Sequence, residues 1–109
     1  MKMYYIGLDI HKKIIAYCMK DASGSIVEEG TIEANRKALK KWLDGIKEPW
    51  TGAMEATMFT GWVYDFLKHH TSDLKVANPQ MLKAIAAAKK KNDKVDARMI
   101  ADLLRCDLI

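Results

Sequence analysis

The chain has 109 residues, half of them hydrophobic and 29% charged, which suits one folded domain with one modest core. A net charge of +4 and a pI near 9.1 favour a polyanionic partner, weakly. Cys18 and Cys106 are too few for a disulfide framework and lack zinc-site spacing, no apolar stretch approaches a membrane span, and no signal-peptide pattern opens the chain, so a reducing cytoplasm is the expected compartment.

The segment MYYIGLDI, Met3 to Ile10, is apolar on both alternating faces and predicts a central strand covered on both sides. KIIAYCMK, Lys13 to Lys20, is a second strand, rich in β-branched and aromatic residues. DASGS is turn chemistry, and IVEEGTIEA then reads as a third strand in which Gly30 would mark a bulge. Asn35 is placed to cap a helix carrying Ala38, Leu39, Trp42, Leu43 and Ile46, which ends at EPW. Trp50, after the proline, is read as a loop residue with exposure open to it and no assigned role. TGAMEA, Thr51 to Ala56, is a short strand, and Thr60 is placed to cap a helix with Trp62, Val63, Phe66 and Leu67. DLKVA, Asp73 to Ala77, is a fifth strand, Asn78 and Pro79 open another helix, and the chain closes on one more helical segment. The order β-β-β-α-β-α-β-α predicts an α/β domain with a mixed five-stranded sheet and helices on its faces, the order of ribonuclease-H-like domains.

Four acids invite a functional reading. Asp9 lies in an otherwise apolar strand, where an unpaired carboxylate costs several kcal/mol unless a cation or hydrogen bonds compensate it. Strand alternation sets Tyr5, Gly7, Asp9 and His11 on one face, and Gly7 leaves room for another group to approach. Glu55 is the only ionisable residue of TGAMEA; it neighbours Asp9 if the two strands are adjacent, and otherwise is a solvent-facing strand-end glutamate. Asp93 and Asp96, three apart, share a helical face flanking a stripe of Ala97, Ile100 and Leu104 expected to meet the sheet. Asp93 has an alternative reading as a first-turn acid that complements the helix dipole. Asp102 falls on the far side, where it would pair with Arg98 and Arg105.

Carboxylates gathered in one place repel unless divalent cations lie among them, and hard oxygen donors suit Mg2+ or Mn2+. Two such ions support phosphodiester chemistry by activating the attacking oxygen and stabilising the leaving one. Lys83, Lys89, Lys90, Lys91, Lys94 and Arg98 crowd the same late segment; the lysines would hold a phosphate backbone, or else form a solvated helix face.

Three stretches carry a resemblance: YIGLDIHKK, AMEAT, and NPQMLKAIAAAKKKNDKVDARMIADLL. Together, in order, they resemble the N-terminal domain of the DEDD transposases of bacterial insertion sequences of the one-ten family, relatives of the Piv DNA invertase. The resemblance implies a RuvC-like, ribonuclease-H-type catalytic domain over residues 1–109, with its acids at Asp9, Glu55, Asp93 and Asp96. It implies magnesium-dependent DNA strand cleavage and transfer, oligomeric assembly, and a structured guide RNA. His11 matches a family position without an assigned role. Family members carry a further C-terminal domain that supplies a serine, so the resemblance implies that the chain is a fragment and that full recombination needs that domain.

Two competing readings belong to other classes. One is a non-catalytic nucleic-acid-binding or dimerisation module, which would need the lysines but not the acids. The other is an actin-like ATPase domain, disfavoured because DIHKK places no glycine-rich phosphate turn after Asp9.

Overall fold

The computed structural model describes residues 2–71, 73–88 and 96–109. Five strands, β1 (Tyr4–Ile10), β2 (Ile14–Lys20), β3 (Ile26–Glu33), β4 (Trp50–Glu55) and β5 (Leu74–Ala77), form one mixed sheet in the order β3-β2-β1-β4-β5. Among the described residues there are four helices: α1 (Arg36–Asp44), α2 (Thr60–Leu67), α3 (Pro79–Ala88) and α4 (Ala97–Arg105).

The first three strands are antiparallel neighbours because short turns join them. At the β2–β3 turn the Asp21 carboxylate accepts bonds from the Ser23 and Ser25 amides at 3.0 and 3.1 Å, and Gly24 takes a φ of +91°, a region costly for any other residue. The remaining connections pass through helices, so β4 runs parallel to β1 and β5 parallel to β4.

Both faces of the sheet are covered, as the apolar run of β1 requires. Ile6, Leu8 and Met54 point to one side and pack with Leu39 and Leu43 of α1 and Val63 and Leu67 of α2. The other side receives α4: Ala97 and Ala101 meet Cys18, while Ile100 and Leu104 meet Ala53. Met99 and Leu103 of α4 reach sideways to Leu82 and Ala86 of α3.

Gly7 makes this second layer possible. A Cβ there would lie 2.2 Å from the Ala97 carbonyl oxygen and 2.5 Å from the Ala101 amide nitrogen. The α4 backbone therefore rests directly on β1.

Several expectations change. Trp50 is not an exposed loop residue; it opens β4 and is 7% exposed, its ring edge-on to Trp42 at 6.2 Å. The bulge in the second hairpin lies at Met19 and Lys20, not at Gly30, which instead accommodates the Tyr17 ring. Thr60 is the first residue of α2 rather than its cap, and its hydroxyl donates to the Glu55 carbonyl at 2.7 Å. That bond ties the start of α2 to the end of β4.

Candidate active site

Of the four candidate acids, Asp9, Glu55 and Asp96 are described, and they lie where the parallel strands end. Asp9 is the penultimate residue of β1, on the same face as Gly7, and its side chain is 18% exposed. The parallel β1–β4 ladder pairs Gly7 with Ala53 and Leu8 with Met54. The next step of that register sets Asp9 beside Glu55, and alternation turns both toward the α4 side. Glu55 is the partly exposed end of an otherwise buried strand. β4 continues its pairing onto β5 at Glu55 and Ala77.

α4 runs antiparallel to β1, so its first turn comes down at this same end. Asp96 immediately precedes the helix and is its N-cap: the backbone is extended, and one carboxylate oxygen accepts from the Met99 amide at 2.9 Å. This corrects the expectation that Asp96 sits within the helix, flanking its inward stripe. It projects from the helix start, and its second oxygen makes no hydrogen bond among the described residues. Asp9 and Asp96 line one cleft of about 370 Å³ together with Glu29, Ala97 and Arg98.

His11, just past the end of β1, lies with Nε2 3.1 Å from one carboxylate oxygen of Asp9, while its ring is largely exposed. Its amide donates to the Ile14 carbonyl at 2.9 Å, which closes the turn into β2 and fixes where the ring can reach.

The charges around α4 sort differently from expectation. Asp102 pairs with Lys20 at 2.8 Å and with Arg105 at 3.4 Å, but Arg98 does not join them. Arg98 crosses instead to Glu29 on β3, in two parallel bonds of 2.8 and 2.5 Å. Burial resists ionisation of Asp102, but the Lys20 ammonium and Arg105 guanidinium outweigh it and hold the carboxyl below its ordinary range. The Arg98 bonds likewise hold Glu29 below the usual carboxylate range. Strand alternation could have found Glu29, since it falls opposite Cys18 on the α4 side; no local pattern announces the Arg98 partner, 69 residues away.

Asp93, Lys89, Lys90, Lys91 and Lys94 lie outside the described residues. Lys83 is exposed on α3. Among the described residues no group of three His, Cys, Asp or Glu side chains is gathered closely enough to hold a metal ion. The donors that are described, Asp9, Glu55 and Asp96, are all carboxylates, the chemistry a hard divalent cation takes. No helix among the described residues is long and apolar enough to cross a membrane.

A mixed five-stranded sheet with helices on both faces and acids from three elements at the ends of its parallel strands is compatible with the ribonuclease-H-like class. The family model of the DEDD transposases of IS110-type elements, described as transposase, matches residues 6–108, and the chain belongs to that family. Comparison with curated proteins gives no match.

Proposed function

We propose that this chain is the RuvC-like catalytic domain of a transposase, and that it cuts and transfers DNA strands with divalent cations held by Asp9, Glu55, Asp93 and Asp96. The proposal is supported by the one cleft that Asp9 and Asp96 share and by the β1–β4 register, whose next step sets Glu55 beside Asp9 at the same end of the sheet. None of the three pairs with a lysine or arginine among the described residues. Asp96 caps α4 with one oxygen, and in this reading its second oxygen would take the cation.

When bound, Mg2+ or Mn2+, in a pair, would supply Lewis-acid stabilisation of the phosphodiester oxygens and an activated attacking oxygen. The chain's own groups do the rest. His11 lies within hydrogen-bond distance of one Asp9 oxygen and restricts that carboxylate's rotation. The Thr60 hydroxyl holds the end of β4, so Glu55 issues from an anchored carbonyl. Lys83, Lys89, Lys90, Lys91 and Lys94 would bind the backbone of the DNA, drawing it over the carboxylates. A structured guide RNA, assembly as a homo-oligomer and a serine from a further domain complete the reading.

The test is excision from a donor plasmid bearing the element's ends. Asp9→Asn and Asp96→Asn are expected to abolish it while leaving the denaturation midpoint nearly unchanged. Near-normal excision by either variant would leave a binding-only module as the better description.

A further inference from the structure

We propose that Glu29 is a positioning residue for Asp96, acting through Arg98; the inference rests on the catalytic reading of Asp96 above. Asp96 is aimed by the first turn of α4, so whatever seats that turn sets the carboxylate's place against Asp9. The helix is held unevenly along its length. Ile100, which closes the first turn, and Leu104 bury large side chains against Ala53, and Asp102 grips Lys20 farther along. Before Ile100, the apolar contacts with the sheet among the described residues are the small Ala97 methyl group and the Ala97 backbone lying on Gly7.

The polar attachment of the first turn to the sheet among the described residues is Arg98, two residues after Asp96. Its guanidinium meets Glu29 through Nε and Nη2 at 2.8 and 2.5 Å. A two-pronged, planar pair fixes orientation as well as distance, which a lysine at the same place would not. Glu29 lies on β3, so the pair spans β2 and joins the helix start to the far edge of the sheet. Arg98, Glu29, Asp9 and Asp96 then border a single cleft. The side chains of Arg98 and Glu29 are 60% and 36% exposed, so the pair adds little to global stability and its use is local.

A rival reading makes Arg98 a direct contact to a DNA phosphate, with Glu29 competing for it. The two readings differ in sign. If Glu29 positions Asp96, Glu29→Gln lowers excision by about 10-fold, the low end of the cost of losing a group bonded directly to a metal ligand, because Glu29 acts through Arg98. If Glu29 merely competes, the same variant excises as well as the parent or better.

The experiment measures excision, Mn2+ binding and amide hydrogen exchange for Glu29→Gln and for the exchanged pair Glu29→Arg with Arg98→Glu. Expected for Glu29→Gln are an unchanged denaturation midpoint, weaker Mn2+ binding, and faster exchange of the Met99 amide in the metal-free protein. That amide is the donor to Asp96. The exchanged pair should recover excision and Met99 protection in part. Parent-level excision by Glu29→Gln, or unaltered Met99 protection, overturns the proposal while an inactive Asp96→Asn leaves the catalytic reading standing. An active Asp96→Asn overturns both.

Discussion

Replacing Gly7 with alanine adds one methyl group where α4 lies on β1. Its Cβ would stand 2.2 Å from the Ala97 carbonyl oxygen and 2.5 Å from the Ala101 amide nitrogen. Carbon and oxygen settle no closer than about 3.3 Å, so the helix must retreat by about 1 Å. Both obstacles are backbone, so no rotamer change relieves them. Overpacking by a methylene costs about 1–3 kcal/mol, and the upper end applies here. Without the clash the sign would reverse, because alanine restricts the unfolded chain and stabilises by about 0.4–1 kcal/mol. Urea denaturation of parent and Gly7→Ala decides between the two. A loss near 3 kcal/mol would lower Tm by roughly 12 °C or more in a domain of this size. The lifted helix carries Asp96 away from Asp9, so excision should fall further than stability alone explains. A Gly7→Ala protein as stable as the parent, or more so, would refute the packing argument.

Asp96 has a structural and a proposed chemical task, and two substitutions separate them. Asparagine caps helices about as well as aspartate, whereas alanine forfeits about 1 kcal/mol; both should be inactive in excision, with only Asp96→Ala clearly less stable to urea. Asp102 ionises more readily in the fold than in the unfolded chain, because Lys20 and Arg105 favour its anion. Its contribution is present above the ordinary carboxylate pKa of about 3.9 and is lost as pH falls through the lower folded value. Asp102→Asn should therefore be less stable at neutral pH yet lose less on acidification below about pH 4, and stability profiles that stay parallel would contradict this. Tyr17 is pushed up to about 12, by burial and then by its 2.6 Å bond to Glu28; one of the four tyrosines should ionise late in an ultraviolet alkaline titration, and Tyr17→Phe should remove that late step. Replacing Lys89, Lys90 and Lys91 by glutamine should flatten the salt dependence of DNA affinity by about 0.9 for each phosphate no longer neutralised.

Much of the architecture was legible because short-range rules govern it. The apolar run of β1 demanded cover on both faces, and turn residues between the first strands demanded hairpins. The stripe of Ala97, Ile100 and Leu104 correctly named the face of α4 that meets the sheet. What was not legible depends on contacts between distant segments. Trp50 looked like loop because a proline precedes it, yet pairing with Tyr4 draws it into β4. The position of Asp96 turned on where the helix begins, and its own side chain sets that boundary by capping Met99. Asp102 and Arg98 are both on α4, so helical spacing suggested they pair; the sheet supplied Lys20 and Glu29 as better-placed partners.

The carboxylates should bind a divalent cation as a set. Calorimetric titration of the protein with Mn2+ should reveal binding that disappears in Glu55→Gln, a substitution at the end of a strand that leaves the core intact. Equal Mn2+ affinity in parent and variant, or no binding by the parent at millimolar metal, would contradict it.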